Sequence, residues 1–564
     1  MKNLRWQLII AGIAIAAIAL LLLSQRNPDG VVGTTASFGG IYAEGLVGRI
    51  GRLNPLLDTY NQVDRDVNRL LYSSLITFDA RGNPQPDLAE AWGVSVNGEV
   101  YNVSLRADAK WHDGNPVTTA DVVFTVDLMR DPEMPIPDDL RALWEEIEVI
   151  VFDELNMQFR LPEAFSPFLD YLSFGIVPQH LLIGLSAVEI INDDFNLEPV
   201  GSGPYKFEQL IVEDDVITGL VLQTNDEYYL APPFIEQVVF RYFSSQEAAL
   251  DAYQQGEILG INQVEGLVLE EALAEPGLNV YSGRLPQLTL ILFNLDNSEV
   301  SFFQDVEVRQ ALLEGLNRQK IIAQFLGGQG IMADGPIMPG TWAYYEDTPR
   351  VNFNPVEAEN KLKAAGYIIP AEGGATRVKE NQILSFELVH PDTVLHTAIA
   401  TAIKENWAEL GVAVSLVAVD YVTLQEEYLD SRNYEAALVD LNLTGLPDPD
   451  PYPFWHQAEA TGGQNYSRWD DRRASEYLER ARVSVTIETR QRLYRNFQVH
   501  FSREIPAIPL YYLVYSYAVD AQVQGVQMGP IFDPSDRFMY INQWALLLRG
   551  PVEAEEVVAP TATP

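Results

Sequence analysis

LSFELVHPDTVLHTAIATAIKENWAELGVAVSLVAV, residues 384–419, is the stretch that decides the fold class. Leu384 to Val389 is a short apolar run of strand length, and Val412 to Val419 is another. Between them, Thr393 to Leu410 carries apolar residues at helical spacing and stops at Gly411, the residue type that most readily follows a last helical turn. A strand, a helix and a returning strand make a β-α-β unit, whose strands run parallel and whose helix covers one face of the sheet. The fold class is therefore α/β, with a parallel or mixed sheet. A further apolar strand, Ala436 to Leu441, leads into the loop Leu446-Pro447-Asp448-Pro449-Asp450-Pro451-Tyr452-Pro453. Loops at the carboxyl ends of strands in such sheets are the usual ligand sites.

Working outward, the same alternation of elements continues. Asn354 reads as an N-cap, Pro355 as the first helical residue, and Gly366 as the residue after the last turn. Val306 to Leu326 has helical spacing and stops at Gly327-Gly328, which predicts one long helix. Nearer the N-terminus, Val63 to Leu75 is helical in pattern, with Val67, Leu70 and Leu71 on one side, and Tyr101 to Leu105 alternates like a half-buried strand. Thr118 followed by Asp121 has the spacing of a capping box. No repeat of solenoid length is present.

The chain has 564 residues, too many for one simple core, so two or three lobes are expected. Hydrophobic residues make up 47%, enough to exclude disorder over the whole length. The formal net charge of −42 repels phosphate backbones and argues against nucleic-acid binding. Cysteine is absent, which removes disulfides, thiol catalysis and thiolate metal sites, and also a lipid-modified cysteine anchor. At the N-terminus, Lys2 and Arg5 precede an apolar run from Leu8 to Leu23. Residues 1–26 thus read as a signal anchor or a cleaved signal peptide, and either exports the rest. Residues 27–40 read as a flexible stalk and 549–564 as a disordered tail rich in Pro, Ala, Thr and Glu.

A set of short blocks then occurs in a fixed order. Leu53-Asn54-Pro55-Leu56 is followed by Leu71-Tyr72-Ser73-Ser74-Leu75, by Pro86-Asp87-Leu88-Ala89-Glu90-Ala91-Trp92, and by Leu105-Arg106 to Trp111-His112-Asp113-Gly114 with Thr119-Ala120-Asp121-Val122. Val200-Gly201-Ser202-Gly203-Pro204-Tyr205, Phe293-Asn294 and Val308-Arg309-Gln310-Ala311-Leu312 complete it. In these blocks, over about Leu53 to Leu548, the chain resembles the extracytoplasmic solute-binding proteins of family 5, which bind oligopeptides, dipeptides and nickel and serve ABC importers. The resemblance implies a large periplasmic-binding-protein-like fold of class II type. It has two α/β lobes joined by a hinge, plus a smaller additional domain. Lobe I is expected at 41–80 with 203–290 and 512–548, the additional domain at 81–202, and lobe III at 291–511. It also implies capture of peptides or similar small solutes by lobe closure, delivery to a permease and its ATPase, no enzymatic activity, no cofactor and a monomeric state. The protein would work outside the cytoplasm, in the periplasm or at the cell surface, tethered by its N-terminal helix or released after cleavage.

In peptide binders of this family, an aspartate in the loop after a lobe III strand pairs with the peptide's free amine. The corresponding loop here departs from the family's approximate T-G-D-x-x-D-P-D: Thr444-Gly445 is followed by Leu446, and the acids come later. Asp448 is the candidate amine anchor, with Asp450 beside it; the competing reading is that both make turn hydrogen bonds with their own backbone. Glu44 is a candidate cleft residue near the end of the first strand. Tyr452 and Trp455 are candidate pocket walls, with core packing as the alternative. Asn465 lies in Gly463-Gln464-Asn465-Tyr466-Ser467, which matches a family block near the cleft. His112 with Trp111 reads as turn and packing chemistry, since one histidine without a partner at ligand spacing makes no metal site. Gly201 and Gly203 suggest a tight turn, and Arg309 an ion-pair partner.

Other functions fit less well. A secreted glycoside hydrolase needs two acids about 5–10 Å apart across a sugar, and Asp448 and Asp450 are too close in sequence and locked by proline. There is no Gly-x-Ser-x-Gly or His-Glu-x-x-His motif, and His112, His180, His390, His396, His456 and His500 are scattered. A sensor of the same fold or a metal-chelate binder is the nearer alternative; His456 is noted because nickel-binding relatives use histidine thereabouts.

Overall fold

The computed structural model describes residues 39–547 apart from Glu372. The N-terminal leader at 1–26, all but the end of the stalk, and the tail at 549–564 lie outside the described residues. Among the described residues, no helix is long and apolar enough to cross a membrane.

The architecture is two-lobed α/β, built on one mixed eleven-stranded sheet. Two of its strands are much longer than the five or six residues of an average strand. Leu278–Phe293 has 16 residues and Ala507–Asp520 has 14, and they pair antiparallel. At ~3.4 Å per residue the first spans about 50 Å, enough to belong to both lobes. Its first half, Leu278 to Arg284, pairs with Asp520 to Val514, with one isolated bridge from Arg284 to Pro530, and there the strands next in order are Gly260–Ile261 and Ile41–Val47. Its second half, from Gln287, pairs on its other edge with Ala436–Asn442, then Ser385–Pro391 and Ala413–Val419. Between the halves the register breaks from Arg284 to Leu288. Pro286 sits in that break, where a strand tolerates a residue with no N–H to donate. The break is the physical seam between the lobes.

The β-α-β unit is present as read. Ser385–Pro391 and Ala413–Val419 pair in parallel around the helix Val394–Glu409, which Thr393 caps by accepting from the His396 N–H. Asn354 caps Pro355–Ala364 in the same way, and Thr118 with Asp121 forms a complete capping box. The second half of the sheet is buried on both faces. Ile291 and Phe293 face one hydrophobic cluster while Leu288, Leu290 and Leu292 face another, and Leu438 and Val439 divide likewise. Period-two alternation with both sides apolar is the mark of a sheet covered by helices above and below. A separate four-stranded antiparallel sheet, in the order Ala89–Val94, Val100–Leu105, Asn156–Arg160, Glu148–Val151, shares one continuous core with the first lobe.

Two helix readings need correction. The stretch Val306 to Leu326 is two helices, Val306–Glu314 and Arg318–Phe325. They separate at Gly315, where a Cβ would lie 2.2 Å from Leu410 Cδ1, and Asn317 caps the second by accepting from the Lys320 N–H. The helix expected to reach Leu75 is Gln62–Leu71; at Tyr72 the backbone turns extended, and Ser73 and Ser74 bond to Ser202 and Asp87 instead.

The Gly201-Ser202-Gly203 segment lies against the end of that helix. A Cβ at Gly201 would sit 1.9 Å from the Leu71 carbonyl oxygen, and one at Gly203 2.4 Å from that of Leu70. His112 fastens the segment: its Nδ1 accepts from the Gly201 N–H at 3.1 Å and its Nε2–H donates to the Gly203 carbonyl at 3.1 Å. That pair of bonds requires the neutral imidazole. Burial, helped by Lys206, accordingly lowers its pKa from the usual 6.5 to about 4, against the raising effect of the Gly203 bond. Arg309 is also structural, but its partners are not carboxylates: it donates to the carbonyls of Phe303, Glu504 and Ile505, closing the end of the helix Ile487–Glu504.

Because the folded pKa of His112 lies below the unfolded one, the unfolded chain takes up this proton first. Stability from the neutral ring is full above about pH 6.5 and is lost as pH falls toward 4. His112→Ala is expected to cost about 2 kcal/mol at pH 7. Denaturant unfolding across this range should show the gap between variant and wild type narrowing with acid; a pH-independent gap would refute the tautomer assignment.

Candidate functional site

One cavity has walls from both lobes. It has a volume of about 250 Å³. The first lobe supplies Pro55 and Asp58 from the loop before the helix Gln62–Leu71, then Arg65, Asn68 and Arg69 from the helix, and Ser74, Thr77 and Phe78 beyond it. The C-terminal segment adds Asp533, Ser535, Asp536 and Met539, and Ser173 to Gly175 close one side. From the other lobe come Gly445 and Pro447, in the acidic loop that the sequence singles out. A smaller compartment of about 120 Å³ shares Arg69, Tyr72, Thr77 and Met539 and continues toward Asp87 and Tyr228.

The charges of this cleft are largely settled among themselves. Arg65 Nε bonds Asp533 Oδ2 at 3.0 Å, and Arg69 lies 3.4 Å from Asp536. Burial acts to raise the Asp533 carboxyl, but Arg65 and the bonds from Gln62 and Ser535 outweigh it and hold it low. Burial prevails at Asp536, which is raised despite Arg69. Asp58 has no such guanidinium: Arg65 reaches its backbone carbonyl, and its carboxylate accepts from Asn68 Nδ2 at 2.8 Å. Burial pushes it up to about 7 against the Asn68 bond and Arg65, with Asp533 and Asp64 adding to the rise.

The acidic loop is bound from behind. Asp448 makes a two-pronged pair with Arg490, at 2.5 and 2.8 Å. Arg490 also donates to the Ala481 carbonyl and to Tyr494 Oη. Asp450 Oδ2 accepts from Arg482 at 3.0 Å, and its N–H donates to Asp448 Oδ1, so the turn bonding weighed as the alternative is present too. In this arrangement the Arg490 guanidinium takes both oxygens of Asp448, whereas Arg482 takes only Oδ2 of Asp450 and its buried Oδ1 has no hydrogen-bond partner. The loop also meets the other lobe's side: Asp448 N–H donates to Asp170 Oδ2 at 2.5 Å. Burial and the nearby Asp448 raise the Asp170 carboxyl far above the carboxylate range.

The remaining sequence candidates are also committed internally. Glu44 is fully buried, its Oε1 taken twice by Arg537 at 2.7 and 3.0 Å and its Oε2 by the hydroxyls of Tyr42 and Tyr517. Tyr452 is half-buried, stacked on His456 at 4.0 Å beneath the Arg482 guanidinium. Trp455 packs edge-on against Phe501 in the core of the second lobe. Asn465 is fully buried and orders a turn, donating to the carbonyls of His456 and Trp469 and accepting from the Trp469 N–H. His456 Nε2 lies 2.9 Å from Glu479, and no cluster of three or more metal-ligating side chains occurs among the described residues.

Asp58 and Asn68 escaped the sequence reading. One signal was available for Asn68: it falls on the apolar side of an amphipathic helix, next to Val67, Leu70 and Leu71, and a polar residue there is the informative exception. Asp58 follows a recognised block, Leu53 to Leu56, with nothing in its neighbours to mark it.

Comparison with known proteins extends the picture. The family model for bacterial extracellular solute-binding proteins, family 5, matches residues 83–464. The oligopeptide-binding protein AppA of Bacillus subtilis is 25% identical over 506 residues, covering 87% of this chain and 90% of its own. The dipeptide-binding protein of Escherichia coli is 26% identical over 496 residues, covering 82% and 87%. Among solved structures, HbpA2 from Haemophilus parasuis superposes with a TM-score of 0.78 at 22% identity, over 90% of this chain and all of that one. AppA from Bacillus subtilis, in complex with a nonapeptide, gives 0.64 at 24% identity over 91% of this chain and 100% of its own. A sheet shared by two lobes, a cavity walled by both and a family match over most of the chain agree, and the chain belongs to the bacterial extracellular solute-binding proteins, family 5.

Proposed function

We propose that this protein is the solute-capturing subunit of an ABC importer, that it takes peptides or similar small solutes outside the cytoplasm, and that it hands them to a permease coupled to an ATPase. The observation that carries this reading is the cavity with walls from both lobes and direct bonds between those lobes. Gly445 N–H donates to the Phe532 carbonyl at 2.7 Å, Trp342 N–H to that of Arg81 at 2.8 Å, and Ser166 Oγ–H to that of Ser484 at 2.6 Å. A solute in such a cavity touches both walls, so it favours the closed arrangement by whatever those contacts are worth. In this reading the lobes turn on the register break at Leu285 to Gln287, a few residues before the boundary at 290/291 expected from sequence. Relatives named for oligopeptides and dipeptides support the peptide class. In this reading Asp448 and Asp450 position the loop that bears Gly445 and Pro447, and the protein performs no chemistry on its ligand. It acts as a monomer, held at the membrane by its N-terminal segment or released from it.

Mass spectrometry of the purified protein, native against denatured, should release a ladder of short peptides. A single non-peptide mass would overturn the peptide class and leave the clamp. Ser166→Ala removes one neutral bond across the seam, worth about 0.5–1.5 kcal/mol, without altering the cavity wall. Calorimetry with the released ligand should show affinity lowered about 2- to 10-fold, and solution scattering a larger radius at subsaturating ligand. Unchanged affinity would show that this contact is not part of closure.

A further inference from the structure

We infer that the cleft holds a cationic group of its ligand, a primary ammonium such as a peptide's free N-terminus, between the Asp58 carboxylate and Asn68 Oδ1. The inference rests on the peptide-capture reading for the ligand's identity, and on the first lobe alone for its geometry.

The charged groups lining the cleft are Asp58, Arg65, Arg69, Asp533 and Asp536. Both arginines are spent: Arg65 on Asp533, Gln62 and the carbonyls of Asp58 and Thr59, and Arg69 on Asp536. One acid is left without a cation within ion-pair distance, and it is Asp58.

Asn68 points the same way independently. Its side chain is 4% exposed, and its Oδ1 has no hydrogen-bond partner. The amide cannot be turned round to relieve this, because the Asp58 carboxylate accepts from Nδ2 and needs a donor there. With Asp58 ionised that bond sets the amide's orientation, and a buried acceptor is left without a donor beside the cleft. Leaving such a group without a donor is costly, and native proteins rarely do so without a use for it.

A carboxylate and a carbonyl oxygen held side by side by a bond between their own side chains accept two hydrogens from one donor. An ammonium supplies three, together with the positive charge that Asp58 lacks. The raised carboxyl of Asp58 fits such a position, since a cation at that point offsets the burial, Asp533 and Asp64 that push it up while Asn68 and Arg65 already oppose them. A carboxylate or phosphate group would meet Asp58, Asp533 and Asp536 and is disfavoured there.

The experiment is calorimetric titration of the full-length protein and its Asp58→Asn variant with alanine peptides of two to five residues, free and N-acetylated, and with putrescine. Free peptides should bind wild type, and acetylation and Asp58→Asn should each weaken binding by about ten-fold or more. The variant should bind acetylated peptides no worse than wild type does. Acetylated and free peptides binding equally would overturn the anchor while the peptide reading survives. Putrescine binding that is lost in the variant, with no peptide bound, would uphold the anchor and overturn peptide capture. Binding of neither the free peptides nor putrescine would overturn the anchor. Acetylation that weakens binding while a folded Asp58→Asn binds free peptides as wild type does would place the ammonium elsewhere and overturn the anchor; equal binding of acetylated and free peptides to wild type overturns it even if the variant folds poorly.

Discussion

The two strands Leu278–Phe293 and Ala507–Asp520 carry both lobes, and most of what the molecule can do follows from that sharing. Hydrogen bonds between them run on both sides of the break at Leu285 to Gln287, so the lobes cannot separate or slide without breaking a ladder. They can bend where the ladder is already interrupted. A bulge costs the sheet a little pairing and gives it a local change of direction. Pro286 keeps that interruption in place, because its ring nitrogen has no hydrogen to restore the missing bond. Restricting motion to one seam also fixes where a ligand can matter. Only contacts that exist in one arrangement and not the other shift a two-state equilibrium, and those contacts lie across the cleft.

The same economy explains how the first lobe keeps its shape near the cleft. Arg537 is fully buried; its Nε and Nη2 both donate to Glu44 Oε1, and its Nη1 and Nη2 make a bidentate pair with Asp66. Glu44 lies on the first strand, Asp66 on the helix Gln62–Leu71, and Tyr517, which also reaches Glu44, on a long shared strand. One guanidinium thus ties the first strand to the helix, and Glu44 extends the tie to the long strand. Such a network adds little net stability once desolvation is counted, but removal of one member leaves another charge buried and alone. Asp66 is two residues, about half a helical turn, from Asn68, so the face of the helix that lines the cleft is held from behind by the face that meets Arg537.

This also shows why the fold was more legible than the site. Thr393, Asn354 and Thr118 signal their helices by local chemistry, and alternation in Leu384 to Val419 signals a covered sheet; neither needs a distant partner. The status of an acid does. Asp448 and Asp58 look alike in sequence, as carboxylates in proline-containing loops. Arg490, forty-two residues on, neutralises the first, whereas the arginine nearest the second is drawn away to Asp533, more than four hundred residues distant. Glu44 was read as a cleft residue because its partner Arg537 lies at the far end of the chain. Whether a charge is free or spent is a property of the tertiary structure, and loop register alone does not supply it. The break at Gly315 was missed for a related reason: the apolar spacing continues through it, and only the close approach of Leu410 forces the interruption.

Charge bookkeeping within the cleft matters more than charge over the whole chain. A net charge of −42 suggests a general attraction for cations, yet exposed carboxylates are screened within about 10 Å at ordinary ionic strength and discriminate poorly between one cation and another. Selection comes from the few groups that are sheltered and directional. In the cleft, Asp533 and Asp536 cancel Arg65 and Arg69, so the wall does not repel a neutral peptide backbone, and Thr77 adds a neutral hydroxyl. Against that balanced background one uncompensated acceptor pair has a large relative effect. Gly445 and Pro447 on the opposite wall present backbone and ring but no charge, which leaves room for varied side chains while the first lobe fixes the ligand's end. A binding protein that accepts many sequences through one charged terminus needs this division: a wall that is electrically quiet, and a single place on it that is not.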